Sequence, residues 1–215
     1  MIKFDEQKQL DSVAGALAIR KEIEGIAADV AGRGYKNICY LGIGGTYASA
    51  LQTQNHVQEY SGMEIIAQNA ALYNTTGNRR IGKDTVIVLS SVTGTTQEVV
   101  AAVEKAKAQG AVVIGFVDTA DTPLEKLSDY AIRYPQNEQL KFFMLADRLM
   151  QLAGDFPQYE QQYAEYDRYL PQALVEELMG RFPEVGRNYV AYLSGRICFL
   201  SGKIDALTAG SAERK

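Results

Sequence analysis

Two short segments of the chain carry the residue types that hold an anion. The first is Leu41-Gly42-Ile43-Gly44-Gly45-Thr46-Tyr47, and the second is Ser90-Ser91-Val92-Thr93-Gly94-Thr95-Thr96. Each follows an apolar run and precedes a stretch with helical periodicity, so each is read as a loop leaving the carboxyl end of a strand. Gly44 and Gly45 let the backbone approach a ligand closely, and Thr46 opens a helix whose first N–H groups point outward. The second loop adds serine and threonine hydroxyls at another helix start, so that donors and the positive end of a helix dipole converge. Both features also have a purely structural reading. Thr95-x-x-Glu98 has capping-box spacing, and glycine-rich turns recur wherever a strand feeds a helix. Two such loops on neighbouring parallel strands favour a phosphate site.

A dinucleotide site is the rival. Gly42-x-Gly44 begins the fingerprint, but Tyr47 stands where the third glycine belongs. Glu64 falls at the start of the next strand rather than at its end, where a ribose-binding carboxylate sits. No lysine follows either loop in the P-loop manner. The cofactor reading is poor.

The elements that must position these loops alternate along the chain. An amphipathic helix is predicted over 7–31, with Leu10, Val13, Leu17, Ile23, Ile26 and Val30 on one stripe, ended by Gly32 and Gly34. Strands follow at 37–42, 64–69, 85–90, 111–117 and 130–134. Helices are predicted at 46–60, 97–109, from Pro123, and at 138–153, and residues 73–84 read as a polar loop. Runs such as Val86-Ile87-Val88-Leu89 fit strands covered on both faces. The expected fold is α/β, a doubly wound five-stranded parallel sheet, with ligands bound at the carboxyl ends of the strands. Beyond Gly154, Pro157, Pro171 and Pro183 divide the chain into two helices. Tyr159, Tyr163, Tyr166 and Tyr169 form a stripe read as a packing or dimer face. Residues 188–194 read as one more strand.

Composition narrows the partners. The 215 residues are 47% hydrophobic and 22% charged, with a net charge of −4. That balance argues against a nucleic-acid platform, which needs a basic field. Cys39 and Cys198 sit in apolar runs without a second ligand at metal spacing, so both are read as buried thiols and no metal or cofactor is expected. The polar N-terminus and the lack of a long apolar run give a cytoplasmic expectation, with no membrane partner.

The segment from Gly42 to about Ala153 resembles the sugar isomerase (SIS) domains of phosphosugar isomerases. The resemblance rests on Gly44-Gly45-Thr46, on Ser91-Val92-Thr93-Gly94-Thr95-Thr96 with the helix after it, and on Thr122-Pro123-Leu124. It implies a flavodoxin-like sheet and a sugar-phosphate ligand. Gly44, Gly45 and Thr46 of the first loop and the hydroxyls of Ser91, Thr93 and Thr96 would hold the phosphate, with Val92 giving its backbone N–H. Val92 departs from the polar residue frequent at that place. The long leading helix and the extension after Gly154 look most like fructosamine-6-phosphate deglycases, relatives of the isomerase half of glucosamine-6-phosphate synthase. Such proteins have two SIS domains. This implies a helical region over 1–34, an SIS domain over 35–154, and over 155–215 an extension with the start of a missing or truncated second SIS domain. The acidic residue and histidine of that second domain have no counterpart here, so a site completed by a homodimer is one expectation.

Isomerisation and deglycation both move a proton between adjacent sugar carbons, which calls for a flanking acid and base. Single-domain heptose-phosphate isomerases carry an acid on the helix after the first loop and a histidine on the helix after the fifth strand. His56, the only histidine, and Glu138 occupy comparable places in swapped order. Each has a bland alternative: His56 as a packing residue, Glu138 as a charge at its helix N-terminus. Arg79, Arg80 and Lys83 are read as a solvated cluster. Two functions stay open: an isomerase or deglycase, and a non-catalytic sugar-phosphate sensor.

Overall fold

Five apolar runs become five strands, β1 (Asn37–Gly42), β2 (Ile65–Asn69), β3 (Thr85–Ser91), β4 (Val112–Val117) and β5 (Tyr130–Ile132). The computed structural model describes residues 6–134 and 137–181. All strand pairs are parallel, in the order β2-β1-β3-β4-β5, as the crossover pattern required. Side chains alternate between two cores. Ile38, Tyr40, Val86, Val88, Ile114 and Phe116 face one layer of helices. Cys39, Leu41, Ile87, Leu89, Val113 and Val117 face the other.

The first layer holds α1 (Glu6–Ala18), α2 (Arg20–Arg33), α3 (Gly45–Tyr60), α7 (Glu138–Ala153) and α8 (Tyr159–Arg181). The second holds α4 (Ala70–Thr76), α5 (Gln97–Ala108) and α6 (Pro123–Leu127). The order 2-1-3-4-5 places its switch point between β1 and β3. There the chain leaves β1 for α3 on one face and leaves β3 for α5 on the other. The two loops singled out in the sequence flank that point.

Four expectations are corrected. The leading helix is two helices, broken at Ile19, because α1 packs chiefly on α8 while α2 packs on α7. Residues 73–84 are not all loop. Asn69 caps α4 by accepting a hydrogen bond from Leu72 N at 3.1 Å, and α4 lies against α5. Among the described residues, the extension after Gly154 runs as one helix through Pro171 rather than as two separated there. The fifth strand stops at Ile132 instead of running to Tyr134. The expected strand at 188–194, and Cys198, lie outside the described residues. The tyrosine stripe packs within the chain: Tyr159, Tyr163 and Tyr166 are buried in the first core, and Tyr169 packs against it. Among the described residues no helix is long and apolar enough to cross a membrane.

Candidate functional site

The loop after β1 turns through Gly44, whose φ of 57° and ψ of −125° suit only a residue without Cβ. This turn lets α3 start at Gly45 with Thr46 in its first turn. Glu138 begins α7, after Asn137 in the left-handed region. The structure brings these two together across 92 residues of sequence. Thr46 Oγ1 donates to Glu138 Oε2 at 2.8 Å, and both residues are only partly buried. One carboxylate and one helix N-terminus therefore share the carboxyl end of β1.

The loop after β3 is built differently. Ser91 Oγ accepts a hydrogen bond from Gly94 N at 3.0 Å, and Thr93 Oγ1 accepts one from Thr95 N at 3.4 Å. Accepting these bonds leaves each hydroxyl its own O–H as a donor. Gly94 has φ 65°, and a Cβ there would lie 2.1 Å from Thr122 Oγ1. The turn is closed by its neighbour. Asp118 N donates to Ser91 O, Thr119 Oγ1 to Val92 O, and Leu124 N to Gly94 O, at 3.1, 2.7 and 3.1 Å. The loop after β4 thus braces the loop after β3.

The N-cap of α5 is Thr96 rather than Thr95. Its carbonyl accepts from Val99 N and Val100 N, and its side chain makes no capping bond. The capping-box reading of Thr95 with Glu98 therefore does not describe this helix end. Val92 stands 67% exposed beside these hydroxyls, with its carbonyl tied to Thr119.

His56 lies elsewhere. It is ten residues beyond Thr46 on α3, roughly 15 Å along the helix axis and toward the amino ends of the strands. There His56 Nε2 meets Asp147 Oδ1 at 2.6 Å, while Tyr163 OH donates to Asp147 Oδ2 at 2.7 Å. The His56 ring stacks on Phe143 with centroids 4.5 Å apart. Asp147 is wholly buried, and burial together with that carboxylate pushes the Tyr163 phenol well above its usual value. The structure thus joins Glu138 to Thr46 and places His56 in a separate buried network. Arg80 also lies away from the loops, before β3, where it holds Glu64 at 2.7 Å.

A buried charged pair near the site, Lys141 and Asp118, went unnoticed in the sequence. Lys141 is one turn into α7, with its side chain 1% exposed; its Nζ donates to Tyr134 O at 2.9 Å and lies 3.6 Å from Asp118 Oδ1. Burial pushes the Lys141 ammonium below its usual value, against the pull of Asp118 and Glu138. The available signal was position. Lys141 interrupts the apolar run Leu140-Lys141-Phe142-Phe143-Met144-Leu145, and in the structure every residue from Gln139 to Asp147 is buried. Charges in such a run must have partners.

A sequence model of the SIS domain family matches residues 33–152, more than half of the chain. An uncharacterized HTH-type transcriptional regulator of Clostridium perfringens (strain 13 / Type A) is 44% identical over 57 residues, which are 26% of this chain and 20% of the regulator. A candidate phosphosugar isomerase from Salmonella typhimurium LT2 superposes with a TM-score of 0.67 at 24% identity, over 76% of this chain and 54% of that one. The C-terminal domain of glucosamine-fructose-6-phosphate aminotransferase from Francisella tularensis gives 0.64 at 15% identity, over 81% and 53%. The likeness to the two solved structures is one of fold, and this chain spans about half the length of each. With its 2-1-3-4-5 parallel sheet, its two loops at the switch point and the match over residues 33–152, the chain belongs to the SIS domain family.

Proposed function

We propose that the carboxyl end of the sheet binds a hexose 6-phosphate, with its phosphate in the loop after β3. The observation that carries this reading is the loop itself. Ser91 and Thr93 keep their O–H donors, and Thr96 leaves its side chain out of the helix cap. These groups stand at the positive end of α5, and among the described residues no carboxylate is bonded to them in the way Glu138 is bonded to Thr46. The backbone N–H of Val92 and the turn through Gly44 and Gly45 complete the contacts.

In this reading Thr46 changes role. Its one hydroxyl proton is directed at Glu138, and a second anion beside that carboxylate would be repelled. Thr46 therefore orients Glu138, and the sugar carbons lie toward Glu138 while the phosphate lies toward α5. Glu138 as base takes the proton from one sugar carbon and returns it to the neighbour, which is the transfer that isomerisation and deglycation share. An N-fructosyl amino acid 6-phosphate is the deglycase substrate of this class. The partner acid would come from a second SIS domain or a second copy of the chain in a homodimer, acting in the cytoplasm. His56 supports the α3–α7–α8 packing.

A non-catalytic sensor is the second reading, and the local likeness to a transcriptional regulator favours it. Binding is tested by thermal melting with glucose, fructose, glucosamine and N-fructosyl-glycine 6-phosphates against their unphosphorylated forms. A ligand at 100 times its Kd raises stability by about 2.7 kcal/mol. A shift with the phosphorylated compounds alone is expected, and none with any of them would sink the site. Turnover then separates the two readings. Glu138→Gln is expected to lower an enzyme's rate by about 10²–10⁴-fold while binding persists.

A further inference from the structure

The loop after β3 and the Glu138 end of α7 stand on different elements, and a sugar phosphate reaching from one to the other needs them held in register. A buried ion pair lies between them. Lys141 is on α7 one turn after Glu138, so both project from the same side of that helix. Its ammonium donates to Tyr134 O and lies over the Phe116 ring, 5.5 Å from the centroid, with Asp118 Oδ1 at 3.6 Å. Asp118 directly follows β4, and its own N–H donates to Ser91 O at 3.1 Å. A continuous path thus runs from Glu138 through Lys141 and Asp118 to Ser91.

We propose that Lys141 and Asp118 are a positioning pair, which fixes the Glu138 end of α7 against the Ser91 loop so that one ligand can engage both. The inference rests on the sugar-phosphate reading and deepens it by naming what sets the span of the site. Burying two charges is costly, and a well-packed apolar pair is often at least as stable, so fold stability alone does not account for this one. Neither side chain is exposed enough to touch the ligand, and the pair acts through the groups at its two ends.

The test uses a ligand that spans the site and one that does not. Affinities of inorganic phosphate and of the tightest hexose 6-phosphate from the melting panel are measured by calorimetry. The full chain is compared with Asp118→Asn, with Lys141→Met, and with the double variant that removes both charges. The double variant keeps the volume of the pair and leaves no uncompensated buried charge, so it is expected to melt closer to the parent temperature than either single variant. Its inorganic phosphate Kd is expected to stay within about twofold, and its hexose 6-phosphate Kd to rise at least tenfold, a difference worth about 1.4 kcal/mol. An unaltered ratio of the two affinities in the folded double variant overturns the positioning role and leaves the site reading standing. Failure of the unaltered chain to bind either ligand overturns the site reading and this inference with it.

Discussion

Helix α7 carries two carboxylates that meet opposite fates. Asp147 is wholly buried, with one oxygen at His56 and the other at Tyr163, so both are committed. Glu138 sits at the N-terminus of the same helix, partly buried, with Thr46 on one oxygen and the open end of the sheet before it. The same two helices, α3 and α7, supply both pairs. Depth separates them: the buried pair locks helices together, and the one at the carboxyl end of the strands stays partly exposed.

Breaking the lower pair should have the largest effect on stability. Asp147→Ala leaves His56 and the Tyr163 hydroxyl without their shared partner, and a loss of about 3–5 kcal/mol is expected. Urea unfolding measures it, and a loss under about 1 kcal/mol would show that α3, α7 and α8 do not depend on this carboxylate.

The upper end should show the reverse. Ser91→Ala with Thr93→Ala is expected to weaken sugar-phosphate binding by about 2–3 kcal/mol, since each removes a donor to a charged group. Calorimetry gives the figure, and unchanged affinity would refute the cradle. Gly94→Ala should reach the same loop through the backbone. Its Cβ would strike Thr122 at a φ of 65°, and a stability loss of about 1–3 kcal/mol is expected by melting.

Alkaline titration sharpens the contrast at smaller scale. Burial, chiefly, raises the Tyr40 and Tyr163 phenols, and Asp147 adds to both shifts. Each keeps its proton in the folded chain at a pH where the unfolded chain releases it. The stability this contributes is complete below about pH 10 and is lost as the pH climbs above it. Urea midpoints between pH 8 and 11 should fall, and less steeply in Tyr163→Phe; equal slopes would remove Tyr163 from the account. The smallest effect is expected at the top of α7. Glu138→Gln should change stability by no more than about 0.5 kcal/mol, and a larger loss would mark Glu138 as structural.

Much of this architecture could be read beforehand because short-range patterns dictate it. Continuous runs such as Val86 to Leu89 can be satisfied only between two layers of helices, so sheet and crossovers followed. The helix α4 was hidden because its seven residues, Ala70 to Thr76, are too few for a hydrophobic period to show. The break at Ile19 was hidden for another reason. No glycine, proline or strong cap marks it, and it exists because α1 and α2 have different partners. Pro171 misled in the opposite direction, since tertiary packing carries α8 through it.

The sequence by itself determined the parallel α/β class and the two loops at neighbouring strand ends. It also placed Ser91, Thr93 and Thr96 at a helix N-terminus, because glycine, hydroxyl and apolar periodicity act within a few residues. Only the tertiary structure decided that Thr46 faces Glu138, that His56 is spent on Asp147, and that Lys141 meets Asp118. Those contacts join residues 92, 91 and 23 positions apart. A carboxylate or ammonium is fixed by whatever burial brings beside it, and that depends on how helices pack rather than on its neighbours in the chain.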